Sequence, residues 1–186
     1  MNRRDAIEYI SLLLGGTIVG STFFLDGCKG NSDKEAAFST DDVAYLDEIA
    51  DTILPPTKTP GAKAAKTGAF MTVMVNDCYE VTDQKIFHEG MKRLNDFSKK
   101  TYYKSFMEST PQQKHDLLIE LDREQKDYMK NKKKEEPSHY FRMMKELTLL
   151  GYFTSEIGCT QARRYVAVPG RFEGCIPYKK GDRAWA

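Results

Sequence analysis

The sequence predicts an all-α fold: a compact domain of about five helices with an extended irregular C-terminal arm. Three observations predict it. Apolar residues recur at helical spacing in successive segments between residues 39 and 158. No stretch keeps the alternation of a half-buried strand. Proline and glycine concentrate in two places, residues 55–61 and 159–186, where they break regular structure.

The first helix starts at Ser39 or Thr40 as N-cap, with Asp41 and Asp42 favouring its positive end. Val43, Leu46, Ile49, Ala50 and Ile53 form its apolar stripe, and Pro55 and Pro56 stop it. Pro60 and Gly61 complete a stiff loop. A second helix is expected over ~64–80 with Phe70, Val73, Met74 and Cys78 inward, and a third over ~83–100 with Ile86, Phe87, Met91, Leu94 and Phe97 inward. Phe106 and Met107 are expected at a core edge. Thr110-Pro111-Gln112-Gln113 is a capping-box start, followed by Leu117, Leu118 and Leu121. The charged run 122–136 reads as a solvated helix end and loop. The last long helix, ~139–156, is expected to be capped by Ser138. Its apolar residues Phe141, Met144, Leu147, Thr148 and Leu150 to Phe153 cover so much of its circumference that it needs neighbours on several sides. Gly158 ends it, and residues 159–186 are expected to run as coil and turns that wrap something.

The N-terminus is not part of this fold. Arg3 and Arg4 precede 17 uncharged residues, Tyr9 to Leu25, and Leu25-Asp26-Gly27-Cys28 closes the segment. A basic start, an apolar middle and a small residue before a cut make a secretory signal. The arginine pair resembles a twin-arginine export signal, and Cys28 with Gly27 before it resembles a lipid-attachment site. Alternatives are an uncleaved anchor, since about 17–25 residues span a bilayer, and a buried helix. The expected organisation is a signal over 1–27, a flexible tether over 28–38, a helical domain over 39–158 and an arm over 159–186. The expected localisation is a periplasm-facing lipoprotein, membrane-attached through a lipid on Cys28.

The net charge is +1, and +2 once residues 1–27 are removed, which gives no support for nucleic-acid binding. Cys78, Cys159 and Cys175 lack metal-type spacing; a Cys159–Cys175 disulfide and free thiols are both open readings. His88, His115 and His139 stand apart and read as surface or packing residues. No nucleophile elbow, P-loop or dinucleotide fingerprint is present. Capping and solvation account for the acid pairs Asp41-Asp42 and Asp47-Glu48. The expectation is therefore no catalytic residue, no metal set and no cofactor-binding residue in this chain. Tyr152, Tyr165, Arg171, Phe172, Tyr178 and Trp185, in or near the arm, are of the types that anchor interfaces.

Several ordered motifs resemble the gluconate 2-dehydrogenase subunit 3 family over ~39–176. They are Ile49-Ala50-Asp51-Thr52-Ile53-Leu54-Pro55 with Thr59-Pro60-Gly61-Ala62, the Thr110-Pro111-Gln112-Gln113 start, and Leu147 through Gly158. Tyr165, Pro169-Gly170, Phe172 and Gly174-Cys175 complete the pattern. The resemblance implies a non-catalytic partner of a large FAD-dependent dehydrogenase of the glucose-methanol-choline (GMC) type. Such an enzyme oxidises sugars, sugar acids or glycosides and passes electrons to a cytochrome c acceptor. FAD would reside in that subunit. Arg3 and Arg4 would carry the folded flavoprotein across the membrane, and Cys28 would tether the complex. Pro60, Gly61, Tyr152, Ser155, Glu156, Tyr165, Arg171 and Phe172 become the candidate partner interface, with Gly61 expected at positive φ. A stand-alone enzyme and a carbohydrate- or ligand-binding lipoprotein using Trp185 are the competing readings.

Overall fold

A computed structural model describes residues 38–168 and 170–186. The expected signal with Arg3, Arg4 and Cys28, nearly all of the tether, and Pro169 lie outside the described residues. Among the described residues five α-helices follow one another: α1 Thr40–Ile53, α2 Thr67–Cys78, α3 Val81–Tyr102, α4 Pro111–Asn131 and α5 Tyr140–Thr154. A π-helical turn, Gly158–Ala162, follows α5. Among the described residues no strand forms, and one isolated bridge joins Arg164 to Trp185. The all-α expectation holds.

Local chemistry sets the helix starts. At α1 the Ser39 hydroxyl accepts the Asp42 N–H at 3.2 Å, and the Asp42 carboxylate accepts the Ser39 N–H at 2.9 Å. At α4, Thr110 and Gln113 make the same reciprocal pair at 3.3 and 2.9 Å. Each satisfies two backbone donors that a helix start leaves open. α5 departs from expectation. Its cap is His139, not Ser138: the imidazole Nδ1 accepts the Phe141 N–H at 3.3 Å. Ser138 stands one residue before the cap position. His139 is buried between Tyr128 and Tyr140, and burial holds its pKa below the ordinary histidine value.

α5 packs against each of α1 to α4, as its apolar circumference predicts. Phe141, Met144, Leu147 and Thr148 are buried there, although Leu149 and Leu150 remain exposed. Leu46, Ile49 and Ala50 of α1 are fully buried, as are Phe87 and Leu94 of α3. α2 faces differently from the expectation: Met71 and Val75 are its core residues, while Val73 and Cys78 are exposed. Its apolar residues are spread around a short helix, so spacing alone could not select the inner face. Phe106 is not at a core edge but fully buried, beneath Tyr45 and Lys114, whereas Met107 is exposed.

Two carboxylates link helices. Glu48 of α1 pairs with Lys114 of α4 at 2.9 Å and with Lys63 of the loop at 3.0 Å. The Lys114 hydrogen bond leads in holding its pKa below the ordinary glutamate value, against the cost of burial and with help from Lys63. Asp122 of α4 binds Lys145 of α5 and Lys126 one turn along. Burial works against its charge. Hydrogen bonds from Lys126, Lys145 and Gln125 outweigh that cost and pull its pKa from 3.8 down to about 2.

Both folded-state values are depressed. The stabilisation is therefore present above the unfolded-state pKa and lost as pH falls through the folded value. In acid titrations of the folded domain followed by circular dichroism, the Asp122 contribution should disappear between pH 3.8 and about 2. Asp122→Asn should be less stable at pH 7 and lack that portion of the acid limb. An unchanged acid profile in the variant would refute the assignment.

Candidate partner-binding surface

The loop between α1 and α2 is built by the acids of α1. Asp47 accepts the Gly68 N–H at 2.7 Å, and Asp51 accepts the Lys63 N–H at 3.2 Å. These carboxylates lie four residues apart and so share one helix face. The Thr67 hydroxyl donates to the Ala62 carbonyl at 2.8 Å and closes the turn from within. Asp42 is a cap residue as expected, but Asp47 and Glu48 are loop fasteners and not merely solvated acids.

Gly61 lies buried in this loop. Its expected positive φ is not found: among the described glycines only Gly170 and Gly181 have one. Gly61 supplies room instead. A Cβ there would collide with the Asp51 carboxylate and stand 2.8 Å from the Pro56 nitrogen. Pro60 is half-buried, and its carbonyl accepts the Tyr152 hydroxyl at 2.7 Å. Tyr152 is buried in the core, so its expected place on an outer interface is corrected: it ties α5 to the loop.

The end of α5 is equally self-contained. The Ser155 hydroxyl donates to the Tyr152 carbonyl at 2.7 Å and accepts the Gly158 N–H at 3.0 Å. It turns the chain from α5 into the π turn. Gly158 sits so close to the Tyr152 carbonyl that any Cβ would overlap it. Glu156, one residue after Ser155, is exposed.

Beyond the π turn the arm folds back on itself. The Arg164 N–H donates to the Ala184 carbonyl at 2.8 Å, and the Ala186 N–H donates to the Arg164 carbonyl at 2.9 Å. The Arg164 side chain donates from Nε to the Arg183 carbonyl at 2.6 Å, and its guanidinium lies 4.4 Å from the centre of the Trp185 ring. Arg183 in turn donates to the Gln161 carbonyl at 2.6 Å. The contacts of Arg164 with residues 183–185 therefore bring the two ends of the arm together. A turn at Lys179–Asp182, with Gly181 at φ 95°, shapes its far side. Phe172 is 95 % exposed, Val168 82 % and Tyr178 77 %. Tyr165 and Arg171 are exposed too, and Arg171 pairs with Glu173.

The eight candidate interface residues thus separate. Pro60, Gly61, Tyr152 and Ser155 hold the scaffold together. Glu156, Tyr165, Arg171 and Phe172 face outward. The Cys159–Cys175 disulfide does not form: both thiols are free, and Cys159 points back to the Phe153 carbonyl at 3.3 Å. Among the described residues no cluster of metal-ligand side chains occurs, and no helix is long and apolar enough to cross a membrane. Sequence reasoning missed the clasp between Arg164 and residues 183–186. The lone Trp185 close to the chain end was its one visible signal.

Among the described residues, a five-helix body thus carries a C-terminal arm with exposed aromatic side chains. The chain belongs to the gluconate 2-dehydrogenase subunit 3 family, whose family model matches residues 40–170. No curated protein and no solved structure matches it. The match takes in the α1 motif, the Pro60-Gly61 loop, α5, the π turn and Tyr165. Phe172 and Gly174-Cys175 lie past its end.

The inner residues make a stability prediction. Tyr152→Phe should cost about 1 kcal/mol, because it removes one partly buried hydrogen bond, to the Pro60 carbonyl. Gly158→Ala should cost about 1–3 kcal/mol by forcing the π turn off α5. Urea unfolding reads both; a Gly158→Ala variant as stable as wild type would contradict the close approach.

Proposed function

We propose that this chain is the non-catalytic accessory subunit of a dehydrogenase complex, and that it escorts and anchors a large FAD-dependent subunit of the GMC type. Family membership carries the proposal, and the exposed arm supports it. Large aromatic side chains left in water have no role in holding this domain together, and residues of their type anchor protein interfaces. The large subunit would hold FAD and perform the oxidation of a sugar, sugar acid or glycoside; a cytochrome c would take the electrons. The protein supplies binding and position, while the cofactor supplies the redox chemistry.

In this reading Arg3 and Arg4 give the address and Cys28 the tether. A flavoprotein that acquires FAD in the cytoplasm must cross the membrane folded, which suits a twin-arginine route. One chain then delivers and retains the other on the periplasmic side. The competing carbohydrate-binding reading would use Trp185 as a stacking platform. One face of that ring is already occupied by the Arg164 guanidinium, which weighs against it.

Co-production of the chain with the FAD-containing large subunit should yield a complex that carries flavin absorbance. Arg3→Lys with Arg4→Lys should leave the flavoprotein in the cytoplasm, and Cys28→Ser should release it from the membrane fraction. Mass spectrometry should find a lipidated Cys28 as the mature N-terminus. Unchanged export of the flavoprotein in the double lysine variant would refute the escort role, and an intact Met1 would refute the lipid anchor.

A further inference from the structure

The helix in contact with each of α1 to α4 has its start held by an imidazole. His139 Nδ1 accepts the Phe141 N–H at 3.3 Å, and the Met143 N–H closes the same turn on the His139 carbonyl at 3.2 Å. A ring nitrogen accepts only when it carries no proton, so this geometry requires a bare Nδ1 and places the proton on Nε2. Nε2 lies 3.7 Å from the Glu124 carboxylate of α4. The ring is packed between Tyr128 of α4, at 5.5 Å between centroids, and Tyr140, at 4.4 Å. Its neighbours fix the same corner. The Tyr128 hydroxyl donates to the Pro137 carbonyl at 3.1 Å, and the Tyr140 ring seats against Gly90 of α3, where a Cβ would collide with it.

Protonation reverses the central contact. An Nδ1–H and the Phe141 N–H are both donors, and two donors at that separation repel. The first turn of α5 then loses its side-chain acceptor, and its backbone donors are left open. We infer that His139 is a proton-operated latch: neutral, it closes the first turn of α5 against α3 and α4; protonated, it releases that turn and the end of the 132–138 connection. His139 is a positioning residue that acts on α5, and the inference stands independently of the accessory-subunit reading.

The groups facing the ring set the direction. Burial leads in holding its pKa below the ordinary 6.5; Arg93 of α3 acts the same way, and Glu124 of α4 opposes them. Burial pushes the Tyr140 hydroxyl up to about 12, so it stays uncharged where a histidine titrates. Tyr128 is the remaining titratable group against the ring. With the folded value depressed, the unfolded chain takes the proton first as pH falls. The stabilisation is complete above 6.5 and is lost as pH falls through the lower folded value. That loss begins above the range of Asp122, 3.8 to about 2, and opens one helix start locally without unfolding the body.

Nuclear magnetic resonance of the full chain from about pH 8 to about pH 4.5 tests the latch. At the upper end the imidazole nitrogen shifts should show a bare Nδ1 and a protonated Nε2. As pH falls, the Phe141 amide shift should move with the midpoint of the imidazole. Exchange protection of the Phe141 and Met143 amides, corrected for the intrinsic pH dependence of exchange, should fall by about fivefold or more, the size of a lost cap. Protection at Leu46, Ile49 and Ala50 of α1 should hold. His139→Asn supplies an acceptor that takes up no proton in this range, so its Phe141 and Met143 protection should stay flat while His88 and His115 still titrate. A neutral ring protonated on Nδ1, or a Phe141 amide that does not follow the imidazole, would overturn the latch. So would a His139→Asn variant that loses protection with pH as the wild type does. Should that variant not fold, the shared midpoint in the wild-type chain carries the test.

Discussion

The fold depends on a short stretch of backbone, from Pro60 to Gly68, being held hard against α1. The carboxylates of Asp47 and Asp51 accept backbone N–H groups of that stretch, and Glu48 reaches Lys63 from the same helix. Buried loop backbone must find partners for its polar groups, and here one helix face provides them. Gly61 allows the approach because no Cβ stands between the loop and α1. Once the loop is placed, the Pro60 carbonyl is in position for Tyr152, and α5 is fixed relative to α1 and α2. Ser155 and Gly158 then set the direction in which the chain leaves α5. The constraint thus runs from α1 through the loop to α5 and so to the base of the arm.

This division of labour explains why motif residues can be functional in consequence without touching a partner. Tyr152 and Gly61 look outward in a linear motif but face inward in the fold. Their effect on any complex is indirect: they hold the base from which the arm projects. The arm itself packs little against the core, and its order comes from its own clasp.

Much of the helical body was legible in the sequence because local chemistry and periodicity agreed. The capping boxes at Ser39 and Thr110, the stripe of α1 and the apolar circumference of α5 all pointed to what forms. α2 was less legible: apolar residues lie on both of its sides, and tertiary packing selected Met71 and Val75 over Val73. His139 as a cap was hidden because an imidazole acceptor is a rarer device than the hydroxyl of Ser138 beside it. Gly61 misled because glycine answers two needs, positive φ and lack of volume, and sequence alone does not separate them. On the candidate surface, the structure leaves Tyr165, Arg171 and Phe172 exposed. The clasp was not legible, since it joins residues about twenty positions apart through backbone groups that carry no sequence signature.

The central claim is that this family member acts by binding a flavin-bearing subunit. Hydrogen–deuterium exchange of the chain alone and mixed with that subunit tests it most directly. The account predicts new protection in outward-facing segments, with the already buried core of α1 and α5 changing little. An exchange pattern that the subunit leaves unchanged would contradict it.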